Sequence, residues 1–228
     1  MSADHSPIGP FRRQEVGFSS WKNSQGRDYH FREPVLEGGG RLWTMARENR
    51  AAEGTPHYSP VMMAGHFTDS CVIAERGRKP AGVISAFIRP AGPDIIFVWQ
   101  IAVTPGERGQ GLERELLHRL LSRPACRGAG SLEAAVDRAN PASRALFEAL
   151  ARDLAVAVQI GPDLDSKLFP EGVHENEDLV RIGPLPPWRP SVLPRAGLDG
   201  DEGYEPSNDE YAKPPSRHGD RAGHHRRA

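Results

Sequence analysis

The residues of this chain best placed to do chemistry are the four at 108–111, Arg108-Gly109-Gln110-Gly111. They stand between an apolar run at 95–103 and a segment in which Leu112, Leu116, Leu117, Leu120 and Leu121 recur at helical spacing. The apolar run is rich in β-branched and aromatic residues, which suits a strand covered on both faces, and Pro105 and Gly106 end it. A helix start exposes backbone N–H groups that have no partner in the chain. The helix dipole adds partial positive charge there, and glycines allow φ > 0 and close approach of a ligand. Together these make a cradle for a phosphate or pyrophosphate. An ordinary strand-to-helix turn has the same composition, so from these residues alone both readings stand.

The elements that must position this turn can be read on either side of it. Residues 29–33 alternate as a short strand. Residues 37–50 read as a helix weakened at its start by Gly38, Gly39 and Gly40, each costing about 1 kcal/mol relative to Ala. Residues 56–67 read as a second short helix or a loop followed by a helix. Strands are predicted at 71–75 and 81–88, with Gly77 in the hairpin turn between them. After the central unit come a strand at 132–136 and a helix at 140–151, with Asn140 as N-cap, Pro141 in the first turn and Ala145, Leu146 and Leu150 as its apolar stripe. Segments 155–160 and 179–182 read as a final strand pair. This order implies an α/β domain with a mixed central sheet flanked by helices.

The domain is expected to span 28–183. Residues 1–27 are polar, with Gly, Ser and Pro and no sustained period, and read as a disordered arm; Phe11, Phe18 and Trp21 are its candidates for contact with the domain. Residues 184–228 are Pro-rich, with few large apolar side chains, and read as a disordered tail. His218, His224 and His225 there are read as solvated rather than as metal ligands. The chain has 228 residues and a formal net charge of −1, so no bulk electrostatic argument points to nucleic acid or to an acidic lipid surface. Cys71 and Cys126 lack metal-ligand spacing and read as buried small hydrophobes, with no metal site expected. No apolar run reaches membrane-spanning length and no secretory leader is evident, so the expected location is the cytoplasm.

The turn after the apolar strand resembles the acetyl-CoA pyrophosphate loop of the GNAT N-acetyltransferases, whose pattern is Gln/Arg-x-x-Gly-x-Gly/Ala. Arg108 and Gly111 match it, and Glu113 stands at the last small position. Four stretches are similar to the L-2,4-diaminobutyrate acetyltransferase family within that superfamily: HFTDSCVIAE at 66–75, FVWQIAV at 97–103, NPASRALF at 140–147, and LFP at 168–170 followed by HENED at 174–178. The third is general to GNAT proteins and the others are specific to the narrower family. The resemblance covers most of 28–183 and neither tail.

That resemblance implies the GNAT fold, acetyl-CoA as co-substrate, a small-molecule amine as acceptor, no nucleic acid or membrane partner, and a homodimer. The reaction implied is acetylation of the γ-amino group of diaminobutyrate, a step toward the compatible solute ectoine. The acceptor carries two ammonium groups and one carboxylate, so its pocket needs carboxylates and an aromatic wall. The family's acidic and aromatic substrate residues fall on Glu53, Tyr58, Trp99, His174 and Glu177. Of these, Glu53, Trp99 and Glu177 are implied as catalytic, and Tyr58 and His174 as substrate-binding. Without the resemblance, Trp99 is equally readable as core, Tyr58 as a surface aromatic, and His174 and Glu177 as members of a solvated acidic run.

The acetyl-CoA contacts implied are the backbones of Ile101 and Val103, the loop Arg108, Gly109, Gln110 and Gly111, and Asn140, which is first a helix cap. Val103 is the implied N–H donor to the thioester carbonyl. Glu53 or Glu177, directly or through water, would take the amine proton, a task that needs a carboxyl pKa raised by burial. No Ser or Cys nucleophile with a partner His is evident, and Phe147 stands where many GNAT proteins carry a Tyr that acts as general acid. Glu53 replaces the usual Asp, Pro56 and Pro60 replace a Ser and a Tyr, and residues 134–137 replace a Thr-rich strand end. These departures leave two other readings open: a related enzyme with another amine substrate, and a binding module that keeps the fold without turnover.

Overall fold

Eight strands form one sheet, in the order β1-β2-β3-β4-β5-β6-β8-β7, in a computed structural model that describes residues 19–34, 58–162 and 177–187. The strands are β1 Ser19–Lys22, β2 Asp28–Arg32, β3 Cys71–Arg76, β4 Lys79–Arg89, β5 Gly92–Val103, β6 Ser131–Asp137, β7 Ala157–Pro162 and β8 Glu177–Gly183. Three helices accompany them: α1 Tyr58–His66, α2 Leu112–Ser122 and α3 Pro141–Leu154. The expected helix at 37–50, Pro56, the site residues Glu53 and His174, and the tail histidines lie outside the described residues.

All neighbouring strands are antiparallel except β5 and β6. The β3–β4 turn holds Gly77 at φ 55° and Arg78 at φ 67°. Positive φ at both central residues is what a two-residue hairpin needs to match strand twist. The parallel pair β5–β6 requires a crossover, and α2 supplies it. Its leucines follow the predicted spacing, and Leu112, Leu116, Leu117 and Leu120 are fully buried against Val72, Ile84, Ile96 and Leu132 from the sheet. Each such side chain contributes about 2 kcal/mol. Phe147 and Leu150 of α3 join the same core, so Phe147 is a packing residue here. The other face is covered at one end by α1, where Ala64 packs with Ile73, Val83 and Ala102. Pro60 falls in the first turn of α1, where the missing N–H would have had no intrahelical partner, so the helix tolerates it.

Two departures from the sequence reading stand out. The composition of residues 1–27 predicts a disordered arm, yet Ser19–Lys22 forms the outermost strand at one edge of the sheet, in register with β2 from Ser19 opposite Phe31 to Lys22 opposite Asp28. Trp21 packs on Tyr29 with ring centroids 5.5 Å apart. At the other boundary, the Leu185 N–H donates to the Gly130 carbonyl at 2.7 Å and its side chain packs on the core, so the ordered body continues past 183. Both thiols are buried, as expected, and burial pushes them up, Cys71 to about 11 and Cys126 to about 12.

Candidate active site

The site begins with a defect in the sheet. Along β4 the register runs from Ser85 opposite Gln100 to Ala86 opposite Val98, so Trp99 has no opposite number and sits on a β-bulge. The parallel ladder to β6 covers only 95–98 on β5, ending at Val98 opposite Ala134. Past that point β5 stays with β4 while β6 continues with β8, and the two parallel strands part. The Thr104 N–H donates to the Ala81 carbonyl of β4 at 2.9 Å. Amides alternate along a strand, so those of residues 102 and 100 also face β4, and those of Ile101 and Val103 face the gap. The two backbone donors predicted at Ile101 and Val103 are therefore the ones the alternation directs there. The Val103 carbonyl, on the same side, accepts from Arg108 Nε at 3.4 Å.

At the end of β5 the chain makes a 3-10 turn, Pro105–Glu107, and then the predicted loop. Gly109 has φ 68° and Gly111 φ 79°, a left-handed conformation that strains any residue with a Cβ. Gly111 is the N-cap of α2 and offers no side-chain cap, so the first amides of α2 are left for a ligand. A Cβ on Gly109 would meet nothing within 4 Å, and one on Gly111 would meet only Trp21 at 3.9 Å, so the cradle is open. Arg108 and Gly109 are exposed, and Gln110 is half-buried. Glu113, in the first turn of α2, is half-buried.

The back of this loop rests on the β1–β2 hairpin. Asn23 Nδ2 donates to Gln110 Oε1 at 3.2 Å, while Asn23 Oδ1 accepts from the Gln25 and Arg27 amides and shapes the hairpin turn. Glu107 is buried and accepts from Tyr29 Oη at 2.8 Å, Arg27 Nη1 at 2.8 Å and Arg76 Nη2 at 2.7 Å. Burial pushes its carboxyl up, but the hydrogen bonds from Tyr29, Arg76 and Arg27 outweigh that and hold it below the ordinary carboxylate range. Burial and the neighbouring carboxylate push the Tyr29 phenol up.

The opposite lip is built from β6, β8 and the start of α3. The Asp137 carboxylate accepts from the Ala139 amide at 2.7 Å and turns the chain toward the helix. Asn140 Oδ1 accepts from the Ser143 amide at 3.0 Å, so its capping role is realised and only its Nδ2 donors remain for a ligand. Asp178 ties this loop to β8, accepting from Arg138 Nε and Arg144 Nη2 at 2.8 Å each. Glu177, half-buried, lies directly across from Asp137.

Trp99 is 49% exposed and is therefore not a core residue. Its ring lies 6.5 Å from Phe87, which stacks on Phe97 at 5.3 Å and meets Phe67 at 6.1 Å. This aromatic row lies on the sheet face opposite α2 and α3, beside the gap. Tyr58 opens α1, which covers the same face further along. The structure thus places the Ile101 and Val103 amides and residues 108–111 on the β5 side of the parted strand pair, Asn140 and Glu177 on the β6–β8 side, and Trp99 on the β5 bulge. Among the described residues there is no cluster of three or more His, Cys, Asp or Glu that could hold a metal, and no helix is long and apolar enough to cross a membrane. Sequence reasoning missed Glu107 and the row Phe87–Phe97. The aromatic row was within reach, since a strand pairing of 81–88 with 95–103 sets the two rings side by side; nothing local marked Glu107.

Comparison with known proteins bears on this geometry. Residues 40–151 match the acetyltransferase (GNAT) family. The L-2,4-diaminobutyric acid acetyltransferase of Shouchella clausii is 38% identical over 153 residues, covering 67% of this chain and 85% of that protein. The diaminobutyrate acetyltransferase of Paenibacillus lautus, solved in complex with its substrate L-2,4-diaminobutyric acid and coenzyme A, superposes with a TM-score of 0.66 at 34% identity, covering 70% of this chain and 96% of that one. The ribosomal-protein-S18-alanine N-acetyltransferase of Escherichia coli, at 18% identity and a TM-score of 0.51, shares the fold.

Proposed function

This chain belongs to the GNAT acetyltransferases and, within them, to the L-2,4-diaminobutyric acid acetyltransferases; on that premise we propose that it transfers the acetyl group of acetyl-CoA to the γ-amino group of L-2,4-diaminobutyrate, a step in ectoine biosynthesis. The observation that carries the proposal is the parted strand pair: amides of Ile101 and Val103 face a gap whose far end is a glycine cradle at an uncapped helix start. Such a gap fits a long thioester with an anionic end. Acetyl-CoA supplies an already activated acyl group, so no acyl-enzyme is required.

The chain's own residues then have positioning and proton work to do. The amides of 108–111 and the start of α2 hold the pyrophosphate. The Ile101 and Val103 amides hold the pantetheine and the thioester carbonyl. Asn140 adds a contact from the other lip. Trp99 and its aromatic neighbours exclude water and face the acceptor ammonium with a π-surface. Glu53 or Glu177, directly or through water, takes the proton from the amine, and Tyr58 and His174 hold the acceptor. The homodimer is part of the same proposal.

The test is a thiol-release assay on purified protein with diaminobutyrate, diaminopropionate, ornithine and lysine, beside an acetyl-CoA titration. Diaminobutyrate is expected to give the highest kcat/KM. Preference for another amine would assign the altered Glu53 and Pro60 to a shifted specificity, and acetyl-CoA binding with no turnover would make the protein a binding module. In the same assay Trp99→Ala is expected to lower turnover about tenfold or more while acetyl-CoA affinity changes little. Equal loss in both would make Trp99 a structural residue.

A further inference from the structure

We propose that Glu107 is the positioning residue of the acetyl-CoA loop, fixing the backbone of residues 108–111 by anchoring them to the β1–β2 hairpin and to β3; this rests on the function proposed above. The anchor is indirect, since Glu107 precedes the loop and its side chain points away from the gap. Its two oxygens take three donors from three places: Arg27 after the hairpin turn, Tyr29 on β2 and Arg76 at the end of β3. Arg27 Nη1 also donates to the Gly106 carbonyl at 2.9 Å, so the same guanidinium grips backbone and side chain of the turn. Loop position is thereby coupled to β2 and β3, in addition to the direct Asn23–Gln110 contact with the hairpin.

A turn with two glycines at positive φ has little stiffness of its own, because glycine has access to many backbone conformations. Something must select the one in which its amides converge, and a charge-assisted three-donor knot around a buried carboxylate is stiff enough to do so. The knot also sets the local field. Two guanidinium groups and one carboxylate leave one net positive charge behind a loop that receives an anion. Glu107 therefore places an acidic group next to a phosphate site without making the site repulsive.

The experiment compares wild type, Glu107→Gln and Glu107→Asp in acetyl-CoA titration and in steady-state kinetics with each substrate varied. If wild type neither binds acetyl-CoA nor releases thiol, the functional reading fails, and that result is distinct from failure of the present proposal. With wild type active, Glu107→Gln is expected to raise the acetyl-CoA Kd and KM about tenfold. Its kcat at saturating acetyl-CoA and its KM for diaminobutyrate should stay within about twofold, and Glu107→Asp should recover most of the affinity. An unchanged acetyl-CoA KM, or equal loss in kcat and both KM values, overturns the proposal. Should Glu107→Gln not fold, Arg27→Gln serves instead, because it leaves Tyr29 and Arg76 on the carboxylate. It is expected to raise the acetyl-CoA KM about threefold with kcat retained, and no change in KM overturns the proposal equally.

Discussion

Two helices start at the same end of the sheet, one after each member of the parallel strand pair, and their first turns are built in opposite ways. At α3 the chain satisfies itself: Asn140 caps the Ser143 amide, and Pro141 stands where an N–H would be orphaned. At α2 a left-handed Gly111 stands at the cap with no side-chain acceptor. A capped start is worth about 1 kcal/mol of stability, and α2 forgoes it. The contrast teaches where an anion belongs. Two helix dipoles point into the cleft, and only one has its amides held back for a guest.

The strongest way to break this contrast is to burden α2. Gly111→Ala places a methyl group at φ 79°, at a strain of about 1–2 kcal/mol. Its Cβ would meet only Trp21, so the protein is expected to fold with a modestly lowered Tm. Acetyl-CoA affinity should nevertheless fall about a hundredfold, because donors aimed at charge are displaced. Isothermal titration reads this directly, and a variant that binds acetyl-CoA as wild type does would show that the cradle lies elsewhere.

A second pair of variants sharpens the other side. Asn140→Ala is expected to cost about 1 kcal/mol in chemical denaturation and to weaken acetyl-CoA by only a few-fold. Asn140→Ser keeps a capping oxygen without adding charge, so the affinity it still loses reports on the Nδ2 contact. A loss of affinity in Asn140→Ala as large as in Gly111→Ala would erase the asymmetry.

The smallest effect is a pH dependence. Glu107 titrates below its ordinary value near 4.5, so its contribution to stability is present above that value and is lost as pH falls through the lowered folded one. Tyr29 is raised above 10.0, so its contribution is present below that value and is lost as pH rises through the raised one. Asp153 shares the acid limb. Burial pushes its carboxyl up, and Arg114 and His118 more than offset this and leave it lowered. The urea midpoint is expected to hold level between these limits, and Glu107→Gln should flatten the acid limb in part. An acid limb identical to wild type would exclude Glu107 as one of its sources.

The same contrast explains what could be read from the amino-acid sequence. The start of α3 was legible because its determinants are neighbours: Asn140, Pro141 and Ser143 act within one turn. The Gly109–Gly111 loop was legible for the same reason, as was α2 from its leucine spacing. The bulge at Trp99 was hidden inside an apolar run that reads as one uniform strand, so the residue's exposure could not be derived. Glu107 was invisible because Tyr29 and Arg27 lie 78 and 80 positions away. Strand β1 was lost because Ser19, Ser20 and Lys22 have little strand character of their own, and pairing with β2 and the Trp21 contact supply what propensity lacks.

The edge position of β1 carries a practical warning for anyone preparing this protein. A gene shortened to begin at residue 28, as removal of a seemingly featureless leader would suggest, takes away Trp21, Asn23 and Arg27 together. The shortened product would expose the outer rim of β2 and Tyr29, and would leave the Gly109–Gly111 loop backed only through the Tyr29 and Arg76 contacts of Glu107. Poor yield or feeble acetylation from such a preparation would report on the shears rather than on the enzyme.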